Sequence, residues 1–479
     1  MTAEVWVPRE DQRRALELWG DRRRGAIWSG CGSGKTVMAG TILADWMLDR
    51  CEIERALIVA PPLVVEQWPA EFARWQHTAP LAPLTGIIRF EDLDLTPAVQ
   101  DNGRRGGLVF RNKAATRRRL SDLAAEFRVL VCSWHALPFV EQAFDKLWPF
   151  EAFVIDESSN LKDPTSKRTK AARRAVHKSG KVQIVLELTA TPRANRDEAL
   201  WAQLDLLDPG CLGPNVTAFR ERWCVPDKID RHTGRVHRYA VAPAFRPVLD
   251  MAIARLAVRV PDNLGVEIVV SPRYLTPPDS VREEMRALTM DRVLDDVTAG
   301  NAAVLHAKLR QMAAGGVYAD ALNERGPVRW LHDLKYEHLD QILEELEDEP
   351  VVVLYNWEFE RRKMEARYGA RRFRDIRDGD AKGAFEAGKL RMLGLHPASA
   401  GHGVDGLQRR CHHAVWLSVP EDRELFDQAN GRLRRGGQVK DTVFVHVLVA
   451  AGTREETVWR EALPDKAVAQ ASVLAAAAA

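Results

Sequence analysis

Three short stretches of this 479-residue chain carry side chains whose types and spacing suit phosphate chemistry. In the first, Gly30-Cys31-Gly32-Ser33-Gly34-Lys35-Thr36 follows an apolar run and opens a helical pattern, Val37 to Leu48. Glycines at such a junction let backbone N–H groups turn inward and cradle phosphate oxygens at a helix N-terminus. Gly30, Gly32, Ser33 and Gly34 would line that cradle, Lys35 would reach the β/γ-phosphates, and the Thr36 hydroxyl would ligate Mg2+. Ser29 stands where the strict GxxxxGKT pattern has its first glycine. In the second stretch, Asp156-Glu157 ends the apolar run Phe153-Val154-Ile155. Asp156 would hold Mg2+ through water, and Glu157 would polarise an attacking water as general base. The third runs from Gln428 to Gln438 and contains Arg432 and Arg435. Three residues apart, they would share one face of a helix. Two guanidinium groups offered by a second domain to a nucleotide held by the first would stabilise charge on a transferring phosphoryl group.

These residues need rigid elements behind them. Apolar runs recur at Gly25 to Trp28, Arg55 to Ala60, Arg128 to Cys132, Phe153 to Ile155 and Val182 to Leu188. Nearly continuous apolar runs alternating with helical patterns are what strands of a parallel sheet covered on both faces look like. Val64, Val65, Trp68, Phe72 and Trp75 mark one face of a helix after the second run. A second series follows at Val351 to Leu354, Arg391 to Leu395, Ala414 to Leu417 and Val443 to Val449. The expected fold is α/β with two tandem domains, each a parallel sheet flanked by helices. The N-terminal ATP-binding domain spans 1–210, a helical insertion and linker 211–330, and the C-terminal domain 331–465. An alanine-ended flexible tail would occupy 466–479.

Composition narrows the class. With 46% hydrophobic and 28% charged residues the chain has ample material for cores, so disorder is not expected. The formal net charge is only +2, and a polyanion-binding surface must therefore be a local patch. Six scattered cysteines form no CxxC pair, which argues against a zinc cluster or a disulfide framework. No apolar signal core or membrane-length apolar run is present, so the expectation is a cytoplasmic protein with no membrane partner. His402, Cys411, His412 and His413 invite a metal reading. Successive strand residues point to opposite faces, which argues against their convergence on one ion.

In order and spacing the three stretches resemble superfamily 2 helicases and translocases, most closely the compact Swi/Snf-type forms carried by phages and bacteria. The likeness runs from Pro8 to about Thr457. Gln12 resembles the glutamine that reads adenine. Leu57-Ile58-Val59-Ala60-Pro61-Pro62 with Gln67-Trp68 resembles motif Ia, and Val131-Cys132-Ser133-Trp134 motif Ib. Asp156 to Lys162 is similar to the DExx box, and Leu188-Thr189-Ala190-Thr191-Pro192 to motif III. Tyr355-Asn356-Trp357 matches motif IV, Ala400-Gly401-His402-Gly403 motif V, and Gln428 to Gln438 motif VI. Motif V departs from the usual pattern: Val404-Asp405-Gly406-Leu407 follows where a Leu-Asn-Leu-like segment one residue shorter is the rule. The resemblance implies two RecA-like lobes that sandwich ATP with Mg2+, work as a monomer and grip nucleic-acid backbone. It places Gln12 and Gln428 at the nucleotide. Thr189, Ala190, Thr191, Gly401 and Gly403 would couple hydrolysis to the track.

Seven basic residues and no acidic ones lie between Asn102 and Leu120. Arg104, Arg105, Arg117, Arg118 and Arg119 of that stripe are candidates for phosphate contacts, which position a protein without reading bases. The resulting expectation is an ATPase that translocates on double-stranded DNA with little sequence specificity, in a bacterial or phage-infected cell. Two alternatives stay open: a strand-separating DNA or RNA helicase, and an ATP-switched DNA clamp or motor subunit of a replication, recombination or restriction-defence complex with protein partners.

Overall fold

The structure is a computed structural model that describes residues 3–477 apart from 31, 63, 100–104, 162, 193–196, 230–235, 261–264, 295–296, 320–326 and 401–403. The chain divides into two compact units, 1–262 with 469–479, and 263–468.

The first unit is built on seven strands: β1 (Arg24–Ser29), β2 (Ala56–Ala60), β3 (Thr85–Ile88), β4 (Val129–Ser133), β5 (Ala152–Asp156), β6 (Ile184–Thr189) and β7 (Ala257–Val260). Their order in the sheet is β7-β1-β6-β5-β2-β4-β3, and every pair is parallel. Alternate residues of each strand enter two separate cores. Trp28, Leu57, Val59, Phe153 and Ile155 pack on one face, whereas Ile27, Ile58, Ala60, Val154 and Leu186 pack on the other. Both faces are covered, which is why the strands read as unbroken apolar runs rather than as alternation.

The second unit repeats the plan with β8 (Glu267–Leu275), β9 (Val351–Leu354), β10 (Phe373–Asp375), β11 (Met392–Leu395), β12 (His413–Trp416) and β13 (Thr442–Ala450). The order β8-β13-β12-β9-β11-β10 is again wholly parallel. Val352, Leu354, Trp416 and Val445 fill one core, and Val351, Val353, Val415 and Leu448 fill the other.

The expected strands are all present, but the expected helical insertion over 211–330 is not one body. Its first part belongs to the first unit and supplies β7, while its second part supplies β8 to the other sheet. β8 is hidden from a pattern reading because it contains Pro272, a residue that lacks the N–H of an ordinary strand position. A proline is tolerated there because β8 is an edge strand with one flank paired. Nor does the expected tail fray over its described residues, 466–477. A helix spans Leu463–Ala476, Val473 is fully buried in the core of the first unit, and the Ala477 carbonyl accepts from the Arg259 amide. Its apolar residues, Val473 and Leu474, supply the hydrophobic contact that the flanking alanines hide from a compositional reading.

Candidate active site

Parallel strands bring their C-terminal ends to one margin of a sheet, where ligands of such folds bind. β1, β6 and β5 are adjacent, and all three sequence-predicted elements of the first unit emerge there. The phosphate loop leaves β1 after Ser29, the Thr189-Ala190-Thr191 segment leaves β6, and Asp156-Glu157 leaves β5. Thr189 pairs in register with Trp28, and Leu188 with Asp156, so Thr189 stands between the loop and the carboxylates.

The loop is tied together by its own polar atoms. Ser33 Oγ lies 2.7 Å from both Ser29 Oγ and the Gly30 carbonyl. Ser29, the departure from the strict pattern, thus becomes a partner of the loop rather than a gap in it. The Lys35 ammonium sits on the carbonyls of Ser29 and Gly30 at 2.9 and 3.0 Å. Gly32 and Gly34 have φ of 76° and 87°, the left-handed region that favours glycine. At Gly34 a side chain is also excluded by space, since a Cβ would lie 2.5 Å from Gln12 Nε2. The helix Lys35–Ala44 starts at this point with its first amides free of side-chain caps, the arrangement that suits an anion.

Gln12 is buried at the start of the helix Glu10–Trp19. Its Nε2 donates to the Ser33 carbonyl at 2.7 Å, and its Oε1 accepts from the Arg9 amide at 2.9 Å. Arg9 also reaches the Ser33 carbonyl, at 3.0 Å. Sequence reasoning leaves Arg9 out, although it lies only three residues before Gln12.

Asp156 and Glu157 have different surroundings. Burial, reinforced by the neighbouring Glu157 carboxylate, pushes the Asp156 carboxyl up to about 7, against the opposing pull of Lys35. A carboxylate raised in this way is one that a cation would return to its charged form. Trp134 of motif Ib fixes its backbone by donating from Nε1 to the Asp156 carbonyl at 3.0 Å. Glu157 has φ of 62°, an unusual backbone state for a non-glycine residue. Its Oε1 accepts from Thr189 Oγ1 and, at 3.0 Å, from Ser159 Oγ. Thr189 Oγ1 in turn accepts from the Thr191 amide at 3.0 Å. Lys35, Thr36, Asp156 and the glycine cradle fit a Mg2+-nucleotide. The loop would supply amides and one cation for phosphates, the Thr36 hydroxyl an oxygen ligand for Mg2+, and Asp156 a carboxylate that holds the ion through water.

In the second unit, the helix Arg423–Asn430 ends before Arg432 and Arg435. The two arginines therefore do not share a helical face as their spacing suggests. Gly431 closes the helix, and both lie in the turns beyond it. They converge instead on the segment after motif V. Arg432 donates to the Val404 carbonyl at 3.3 Å, and Arg435 pairs with Asp405 at 3.2 Å. Asp405 belongs to the lengthened part of motif V, and its charge, aided by Arg435, is held below the usual carboxylate range despite the cost of burial. Gln428 is buried and donates to Glu424 at 3.1 Å. Gly401 and Gly403 lie outside the described residues, as does Arg104.

The basic stripe is largely engaged within the first unit. Arg117 donates to the Ala143 carbonyl at 2.6 Å, and Arg119 pairs with Asp92 at 2.7 Å. Arg118 is exposed on the helix Lys113–Glu126, and Arg105 starts the strand Arg105–Phe110. A second basic element goes unmarked by sequence reasoning: the helix Lys167–Lys178, with no acidic residue in its length. His412 and His413 do not diverge, because His412 precedes the strand, and their rings lie 4.2 Å apart. Among the described residues no three His, Cys, Asp or Glu side chains gather as a metal site, and no helix is long and apolar enough to cross a membrane.

Residues 15–245 match the SNF2-related domain family. Over 97% of both chains the protein is 25% identical to protein p41 of Acyrthosiphon pisum secondary endosymbiont phage 1. It is 28% identical to the ATP-dependent helicase YqhH of Bacillus subtilis over 38% of this chain and 26% of that protein. The mouse DNA excision repair protein ERCC-6-like is 26% identical over 42% of this chain, a stretch that is 14% of the mouse protein. The Sulfolobus solfataricus SWI2/SNF2 ATPase core solved with double-stranded DNA aligns with 100% of this chain and 95% of its own, at 17% identity and a TM-score of 0.42. Across residues 15–245 the chain is thus similar to the SNF2-related domain family, which its motifs resemble.

Proposed function

We propose that the protein is a nucleic-acid-dependent ATPase that couples hydrolysis to movement along double-stranded DNA. The observation that carries this reading is the convergence of the phosphate loop, Thr189 and Asp156-Glu157 on three adjacent strand ends. Lys35 and the loop amides bind and orient the β- and γ-phosphates, and Gln12 selects adenine. Thr36 and Asp156 hold Mg2+, which neutralises phosphate charge when bound. Glu157, oriented by Thr189 and Ser159, accepts the proton of the attacking water at its carboxylate. Arg432 and Arg435 stabilise charge on the transferring phosphoryl group. The bacterial relative named as an ATP-dependent helicase supports a motor, and the mouse relative named for DNA excision repair supports DNA as the track.

Steady-state ATP hydrolysis measured alone and with duplex DNA, single-stranded DNA or RNA tests the proposal, with Lys35→Ala as the control. Stimulation by duplex, lost in Lys35→Ala, together with displacement of a triplex strand, is the expected result. Stimulation mainly by single strands or RNA, with release of a strand from a fork, would replace the translocase reading with a strand-separating helicase. Duplex stimulation without triplex displacement would replace it with a clamp.

A further inference from the structure

Behind the active-site margin, the first unit contains a buried polar cluster that the reaction does not use. Ser158, the residue after the proposed base, is fully buried, and its Oγ donates to Gln203 Oε1 at 2.8 Å. Gln203 is itself fully buried in the helix Glu198–Leu207. Its Nε2 donates to the Pro192 carbonyl at 2.7 Å and to the Ala199 carbonyl at 3.1 Å. One amide side chain therefore bonds the turn of the DExx box, the far end of the motif III segment and its own helix. The direct contact between Thr189 and Glu157 reaches only as far as the Thr191 amide. Gln203 takes over at Pro192.

The cluster stays free of ionic competition. Glu187, fully buried on β6 beside Ser158, is held protonated by burial, well above the ordinary carboxylate range. Two residues beyond Gln203, Asp205 accepts from Arg173 at 2.7 Å and lies 3.2 Å from His177. Both come from the basic helix Lys167–Lys178, on which Lys167, Lys170 and Lys178 are exposed. The helix Glu198–Leu207 thus touches the hydrolysis site through one side chain and a basic surface through another. Gln203 pairs with Ser158, Pro192 and Ala199, and such buried bonds restrain the groups that make them, so that removal of one member leaves the others unpaired.

We propose that Gln203 is a positioning residue, through which the nucleotide-dependent state of the Glu157-Ser158 turn is carried to the helix Glu198–Leu207 and onward to the basic helix. The inference rests on the ATP-site reading given above. It assigns Gln203 no contact with nucleotide.

Hydrogen exchange of the full chain, with and without Mg2+ and a non-hydrolysable ATP analogue, tests it in the wild type, Gln203→Leu and Ser158→Ala. In the wild type, nucleotide is expected to change exchange over 30–36, 156–161 and 192–207 together. In both variants the response over 192–207 should fall at least about fivefold while that over 30–36 persists, an outcome that loss of packing alone would not produce. An unchanged nucleotide response over 192–207 in the variants overturns the inference and leaves the ATP site standing. Absence of any response over 30–36 in the wild type overturns both, and its location identifies the ATP site as the failure. If Gln203→Leu does not fold, Ser158→Ala, which removes only one oxygen, becomes the deciding variant.

Discussion

The Thr189 hydroxyl donates to the Glu157 carboxylate, so the strand end between the phosphate loop and the carboxylate pair holds the proposed general base in place. Glu157 also has a left-handed backbone at φ 62°, which directs its side chain away from the path an extended strand would follow. The base is therefore set by a strained turn and two hydroxyls rather than by an ion pair. In Thr189→Val turnover should fall about 10- to 100-fold with KM for ATP within about threefold, because ground-state binding does not use this bond. Thr189→Ser should recover most of the loss. An equal loss in the serine variant would show that the methyl group, not the hydroxyl, matters.

Ser29 anchors the phosphate loop through Ser33 Oγ. Removal of that partner should loosen the cradle without touching the phosphates. Ser29→Ala is expected to weaken ATP binding several-fold, and to cost about 1 kcal/mol in stability as one buried hydrogen bond is lost. Nucleotide titration followed by tryptophan fluorescence, with urea unfolding beside it, measures both. Unchanged affinity would reduce Ser29 to a bystander.

Glu187 gives the first unit a pH dependence. Its folded-state pKa stands well above the ordinary 4.5 because the group is buried. As pH rises past 4.5 the unfolded chain gives up this proton first, so the folded state binds more protons and loses stability. The loss continues until the folded group ionises. Glu187→Gln should therefore unfold at a higher temperature than the wild type, by a margin that grows as the pH rises above 4.5. A margin that shrinks with pH would contradict the protonated carboxyl.

The second unit contains a buried ion pair. Lys335 and Glu455, 1% and 2% exposed, meet at 2.7 Å, and Glu455 also accepts from the amides of Val419 and Ala450, each at 2.9 Å. Lys335→Met leaves a buried carboxylate with no counter-charge and should cost about 3–5 kcal/mol in denaturant unfolding. Lys335→Met combined with Glu455→Gln should be less damaging than Lys335→Met alone. If the double variant is the weaker protein, the charge on Glu455 is not what makes the single change costly.

Much of this architecture is legible in the sequence because both faces of each sheet are covered. Two-sided burial turns strands such as Ala56–Ala60 and Val351–Leu354 into apolar runs that stand out from helices. The phosphate loop and the carboxylate pair are legible for a related reason: their backbone geometry demands glycine, and their chemistry demands Lys, Thr, Asp and Glu. What escapes are elements that local pattern does not mark. β7 (Ala257–Val260) is short and contains Arg259, and β8 is interrupted by Pro272, so local pattern suggests a helical insertion where two sheets take their edge strands. The spacing of Arg432 and Arg435 suggests a helix that in fact ends two residues too early, at Asn430. Gln203 carries no signal, because a buried glutamine in a helix declares its partners only when Ser158 and Pro192 are brought to it.

Pro272 has a consequence for the molecule in a crowded cell. An open sheet margin is a template on which a stray strand can assemble. Among the described residues, three of the four margins of the two large parallel sheets are only three or four residues long: β7, β3 and β10. The fourth, β8, is nine residues long with Val270 and Tyr274 partly exposed, and it is the one that carries the proline. Its pairing with β13 runs unbroken from Glu267 to Leu275, so the missing N–H falls in the outward row. A strand arriving from another molecule would meet that gap at mid-length. Replacement of Pro272 by valine would complete the row and offer an incoming strand an unbroken edge.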